Sequence, residues 1–141
     1  MINQINGLHH ITSLTIDAAD NNKLFTRVLG LRRVKKTVNF DQPNVYHLYY
    51  GDKGGSPGTV MTYFPFPNIK KGIRGTGEVA ETVFSVPIGS LAFWADRLKA
   101  NDLEKIRLED SFGEKRLRFV TGDGEGFALA EIENDTRVGW T

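Results

Sequence analysis

Three histidines carry most of the chemistry this sequence can offer, and two of them are adjacent. They lie in Gly7-Leu8-His9-His10-Ile11-Thr12, with Leu29-Gly30 following nineteen and twenty residues after His10. Imidazole moves protons near neutral pH and ligates first-row divalent metals. If this segment is a strand, successive side chains point to opposite faces, so one histidine can reach a metal while the pair cannot chelate it together. The third, His47, shares a strand face with Val45 and Tyr49, where it could orient a phenolic substrate or carry a proton, or simply pack against its neighbours.

Other chemistries are excluded by what is missing. With no cysteine, thiolate zinc, iron-sulfur clusters, disulfides and cysteine nucleophiles drop out, leaving imidazole, carboxylate and hydroxyl groups. Eighteen basic residues against seventeen acidic ones give a net charge of +1, too small a field to argue for nucleic acid or an anionic membrane. A small molecule or another protein is the expected partner. The N-terminus has no apolar signal-like run and no segment approaches the ~18 apolar residues of a spanning helix, so a cytoplasmic protein is expected. Gly122-Asp123-Gly124-Glu125-Gly126 lacks dinucleotide-binding spacing and precedes a strand, which makes it a turn. No Ser-His-Asp arrangement or nucleophile elbow is present. Arg32-Arg33-Val34-Lys35-Lys36 is expected to be a solvated strand edge, and Lys70, Lys71 and Arg74 a charged linker.

Positioning these groups requires strands. Periodicity predicts strands at 8–16, 31–39, 45–50 and 59–64, with a short helix at 19–28 stopped by Gly30. After a Pro/Gly/Lys-containing connector the pattern repeats: a strand at 79–86, a helix at 90–100, and strands at 106–109, 115–121 and 127–133. The expected class is α+β: two βαβββ modules, about 1–66 and 78–141 around a connector at 67–77, forming one curved, cupped mixed sheet of eight strands. The chain is long enough to bury roughly two-thirds of its unfolded surface, so a metal would be functional rather than structural. At an offset of 71 residues Gly51-Asp52 falls on Gly122-Asp123, His10 on Glu81 and Val60 on Glu131. One imidazole and two carboxylates suit an open metal site. Glu81 could instead be an exposed strand residue and Glu131 could pair with an arginine. A bulge near Ser13 could change which side chains of the first strand face inward, and a different strand ending would make Glu133 the inward carboxylate. Tyr63, Phe64 and Phe66 could line an aromatic pocket or belong to the core.

The paired βαβββ pattern with histidine on the first strand and glutamate on the last resembles the vicinal oxygen chelate superfamily, which includes glyoxalase I, extradiol dioxygenases and fosfomycin or bleomycin resistance proteins. The resemblance sharpens in Gly7–Thr12, in Leu29-Gly30-Leu31-Arg32-Arg33-Val34-Lys35-Lys36-Thr37-Val38-Asn39-Phe40-Asp41, in Tyr46-His47-Leu48-Tyr49-Tyr50-Gly51-Asp52 and in Pro57-Gly58-Thr59. These stretches are similar to the N-terminal half of the hydroquinone-type ring-cleaving dioxygenases, whose full chains usually hold two such paired units. The resemblance implies a dioxygenase acting on a hydroquinone or catechol with Fe(II), or else Mn(II), held by two histidines and a glutamate. It carries the first-strand ligand onto His10 and makes His9, Thr12 and His47 the candidates for substrate contact. The superfamily's single-unit members would instead draw ligands from His10, Val60, Glu81 and Glu131, of which Val60 cannot ligate. A non-catalytic small-molecule-binding or resistance-type module, and a glyoxalase-type lyase or isomerase, are the other functions the resemblance allows. The open side of the sheet invites a homodimer.

Overall fold

The structure, a computed structural model, describes Ile5 and residues 7–135, so the close of the second module lies outside the described residues. The chain divides into two compact units at Lys70/Lys71. In the first, β1 (His10–Thr15) leads into α1 (Ala18–Lys23), then β2 (Arg32–Val38), β3 (Tyr46–Gly51) and β4 (Val60–Pro65). The second repeats the order with β5 (Thr82–Val86), α2 (Leu91–Lys99), β6 (Glu104–Ser111), β7 (Glu114–Val120) and β8 (Gly126–Glu131). Hydrogen bonding closes within each unit. The result is two four-stranded mixed sheets, ordered β1-β4-β3-β2 and β5-β8-β7-β6, where one continuous sheet was expected. Each unit satisfies its inner ladder by placing its first strand parallel to its last.

Local chemistry explains the helix boundaries. Asp17 stands at the N-cap of α1, and its Oδ1 accepts from the amides of Ala19 (2.7 Å) and Asp20 (2.8 Å). The expected single helix over 19–28 is α1 followed by a π-helical turn, Leu24–Val28, in which the Leu29 amide donates to Leu24. Gly30, at φ 76°, then ends it in the left-handed region that favours glycine. No helix among the described residues is long and apolar enough to cross a membrane.

Alternation gives each sheet a helix-facing side and an open side. On the helix side of the first sheet, Leu48, Tyr50, Met61 and Tyr63 are buried with Phe25 and Val28. Phe25 stacks on Tyr50 at 4.9 Å and 17° and lies 5.1 Å from Tyr63, so Tyr63 is core rather than pocket lining. Burial pushes the Tyr50 hydroxyl up to about 12. In the second sheet Leu117, Phe119, Phe127 and Leu129 take the same role with Leu91 and Leu98 of α2. Each such side chain contributes about 1.5–3 kcal/mol by leaving water.

Candidate functional site

Strand register places the site residues. No bulge interrupts β1: it pairs with β4 one to one from His10↔Val60 to Thr15↔Pro65. Ile11, Ser13 and Thr15 therefore share the helix side and His10, Thr12 and Leu14 the open side. Across the sheet, Tyr49 is opposite Thr62 and Lys35, and His47 is opposite Thr37. The open side thus carries two rows, Lys35-Tyr49-Thr62-Thr12 and Thr37-His47-Phe64-Leu14, with His10 beside Val60 at the end. His10, Thr12 and His47 share this face, together with Thr62 and Lys35, which sequence reasoning missed. The alternation of β2 and β4 could have found both, had the register been known.

The hydrogen bonds on this face leave capacity unspent. Thr62 donates its hydroxyl to Thr12 Oγ1 at 2.8 Å, so the Thr12 proton can be offered elsewhere. His47 Nδ1 shares a 2.7 Å hydrogen bond with the Tyr49 hydroxyl, and its Nε2 is buried without a partner among the described residues. The imidazole lies between Tyr49 and Phe64, with ring centroids at 4.1 and 4.0 Å. Burial, reinforced by the charges of His10 and Lys35, holds His47 below the ordinary imidazole value. It is therefore biased towards the neutral form, able to donate at one nitrogen and accept at the other.

His9 departs from the expected geometry. It lies just before β1, outside the ladder, so strict alternation does not separate it from His10. The two Nδ1 atoms come within 2.9 Å and the rings meet edge to face at 5.1 Å. One ring donates its N–H and the other accepts, so the contact is an imidazole–imidazole hydrogen bond.

The carboxylates expected to complete a metal site are otherwise engaged. Glu81 immediately precedes β5, and the register Thr82↔Phe127 sets it beside Gly126. A side chain at Gly126 would place its Cβ 2.7 Å from the carbonyl oxygen of Ala80. Glu81 pairs with Arg118 at 2.9 Å and Arg116 at 3.6 Å on the open side of the second sheet. The network continues from Arg116 to Glu114 at 2.7 Å and from Arg118 to Glu109. Glu131 is on the other side. Because Val60 corresponds by register to Gly126, the offset of 71 that holds on the first strand fails on the last. Glu131 stands an odd number of residues beyond that point, which turns it to the helix face beside Phe127 and Leu129. There its Oε1 accepts the Leu91 amide, at the start of α2, at 3.2 Å. No group of three or more His, Asp or Glu suited to a metal occurs among the described residues. The residues present offer the His10 imidazole on the open side and do not complete a three-ligand face around it.

A cavity of about 1000 Å³ opens at the end of the first unit, between Leu14 of the open side and Ile16, Tyr46, Phe66 and Ile69. Its carboxylate, Asp17, already caps α1, and the other polar groups of its lining are the amides of Gln42, Asn44 and Asn68 and the phenol of Tyr46.

Comparison with known proteins agrees with this fold and adds a closer kinship. No family model matches the chain. MhqE of Bacillus subtilis, which carries a ring-cleaving dioxygenase name, is 44% identical over 135 residues, covering 96% of this chain and 44% of MhqE. Chlorohydroquinone/hydroquinone 1,2-dioxygenase of Sphingobium indicum is 37% identical over 135 residues, covering 94% of this chain and 42% of that enzyme. The chain spans less than half the length of these curated relatives. A Bacillus subtilis crystal structure with a dioxygenase name superposes at TM-score 0.88 with 40% identity, over 96% of this chain and 43% of that one. The fosfomycin resistance protein FosX of Listeria monocytogenes, solved as a variant with Mn(II) and 1S,2S-dihydroxypropylphosphonic acid, superposes at 0.69 with 15% identity, over 93% and 96% of the two chains. The FosX likeness speaks for fold alone, whereas the likeness to the dioxygenases extends through both βαβββ units, so the chain is similar in fold to FosX and in sequence to part of these ring-cleaving dioxygenases.

Proposed function

We propose that this chain is the module, or one module, of a ring-cleaving dioxygenase acting on a hydroquinone or catechol, with the open side of the first sheet as the wall that faces the substrate. The observation that carries the proposal is the gathering of His10, Thr12 and His47 on that one side, in a chain whose relatives are named for this reaction. His10, aided by His9, is the donor this chain would offer to a divalent metal, Fe(II) or Mn(II). When bound, such a metal lowers the pKa of a phenol and gathers the reactants. The chain's own residues bind and orient. Tyr49 and Phe64 offer π faces to an aromatic ring. Thr12 keeps a hydroxyl proton for a substrate oxygen. The neutral His47, tied to Tyr49, holds a proton near the bound ring.

Glu81 and Glu131 remain in the proposal as ligands only by releasing Arg118 and the amide of α2. We therefore favour completion of the ligand set by further residues of a relative-length protein or by a second copy of this chain in a homodimer. A cytoplasmic location fits the lack of cysteine. The engagement of both carboxylates favours a second reading, a small-molecule-binding module without chemistry, using the same open face.

Metal stoichiometry after anaerobic reconstitution with Fe(II) or Mn(II) separates the two. The dioxygenase reading expects about one ion per chain, absent in His10→Ala, and oxygen uptake with hydroquinones that follows the metal content. No binding by either protein defeats the self-contained enzyme and leaves the binding module. Size-exclusion chromatography tests the homodimer, which a strict monomer at high concentration would overturn.

A further inference from the structure

We propose that the open face of the first sheet takes an aromatic ligand bearing an anionic substituent, such as a carboxylate, and that Lys35 is the residue that selects it. The inference rests on the reading of this face as substrate-facing and narrows the substrate class. None of the four strands β1–β4 contains an acidic residue. The acidic residues of the first unit lie elsewhere: Asp17 and Asp20 at and within α1, Asp41 in the β2–β3 connection, and Asp52 in a turn, where it accepts from Gly54 and Ser56. Three of the four cations of β2 are occupied by their own unit. Arg32 donates to the Lys53 carbonyl, Arg33 to Asn22 Oδ1, and Lys36 lies 3.6 Å from the centre of the Tyr46 ring.

Lys35 differs from all three. It makes no ion pair among the described residues, and its contact with an aromatic ring is much looser than that of Lys36, 5.6 Å against 3.6 Å to the ring centre. A β-bulge between Arg33 and Lys35 shifts the pairing so that Lys35 stands opposite Tyr49, with its Nζ 5.6 Å from that ring's centre. Thr12, at the far end of the same row, is two strands from Tyr49, about 10 Å at ordinary strand spacing. The Lys35 ammonium lies over Tyr49, so a six-membered ring lying over Tyr49 and Thr62, with a hydroxyl towards Thr12 and a carboxylate meta to it towards Lys35, fits between the two. A face holding an unpaired ammonium, two imidazoles and no carboxylate is complementary to such a ligand and not to a cation.

Isothermal titration of the full chain with 2,5-dihydroxybenzoate, hydroquinone and acetate tests this. At low ionic strength 2,5-dihydroxybenzoate should bind about three- to fivefold more tightly than hydroquinone, the range an exposed charge pair supports. Lys35→Gln should abolish that preference while leaving hydroquinone unchanged, Lys35→Arg should retain it, and added salt should reduce it. Lys36→Gln removes the same charge from the opposite face and should change nothing. Equal affinity for the two aromatics, a Lys35→Gln loss shared by hydroquinone, a matching loss in Lys36→Gln, or acetate binding as tightly as the aromatic acid would each overturn the proposal. Hydroquinone binding without the preference defeats Lys35 selectivity but leaves the dioxygenase reading intact, whereas binding of neither aromatic defeats both.

Discussion

The open sides of the two sheets occupy the same place in one topology and carry opposite chemistry. In the first, a row of Lys35, Tyr49, Thr62 and Thr12 and a neighbouring row with His47 and Phe64 leave an ammonium without an ion partner, a threonine proton to spare and a buried imidazole nitrogen unbonded among the described residues. In the second, Glu81, Arg116, Arg118, Glu109 and Glu114 answer one another's charges. A half-buried guanidinium surrounded by carboxylates has little left for a ligand, because a newcomer must replace interactions already made. The duplicated architecture therefore separates a face with free bonding capacity from a face whose polar groups are used internally.

The comparison breaks first if the shared helix sides are not equivalent. Phe25→Ala in the first unit and Phe127→Ala in the second should each lose about 3–5 kcal/mol of stability, since both rings are fully buried among aromatic neighbours. Denaturant titration checks this, and a loss in only one variant would show that the cores are not matched. A smaller effect separates the open sides. Glu81→Gln should destabilise by about 1–3 kcal/mol by leaving Arg118 and Arg116 short of charge, whereas Lys35→Gln on the first open side, which breaks no ion pair among the described residues, should leave the melting temperature nearly unchanged. Stability unchanged by Glu81→Gln would release that carboxylate for a ligand role.

Glu131→Ala should cost about 0.5–2 kcal/mol, as expected for losing an acceptor at a helix start. Amide exchange in the first turn of α2 should rise, and an unchanged Leu91 amide would remove the structural role assigned to Glu131. The smallest effect is with pH. His47 has its folded pKa below the ordinary value of 6.5, so the folded chain binds fewer protons there than the unfolded one. Its contribution is fully present above 6.5 and diminishes as pH falls through and below that value. His47→Phe should flatten the fall in melting temperature on the acid side, and an identical slope in both proteins would show that the imidazole is not the group responsible.

Most of the architecture was legible because both periods were strong. The β1, β3 and β4 segments alternate, and the Asp17 cap and Gly30 stop bracket the first helical region in residues whose conformational preferences are local. The candidate site was legible only where a residue's face depended on its own strand, as for His47 with Tyr49. Glu131 was misplaced because equating it with Val60 required counting through two connections whose lengths differ between units, and an odd error reverses the face. The contact between His9 and His10 was not legible, because His9 stands one residue before the strand, where alternation no longer holds.

By itself the sequence determined the inventory and the local rules: three imidazoles, no thiols, near-zero net charge, two βαβββ patterns and their punctuation. Those properties are carried by residue types and by contacts a few positions apart. Tertiary structure alone decided which polar groups remained available. Glu81 meets Arg118 and Thr12 meets Thr62 across strands far apart in the chain, and Lys35 reaches Tyr49 through a bulge. Whether a charged or hydroxyl group is satisfied depends on its partner's approach to within a few ångströms, and strand register sets that distance.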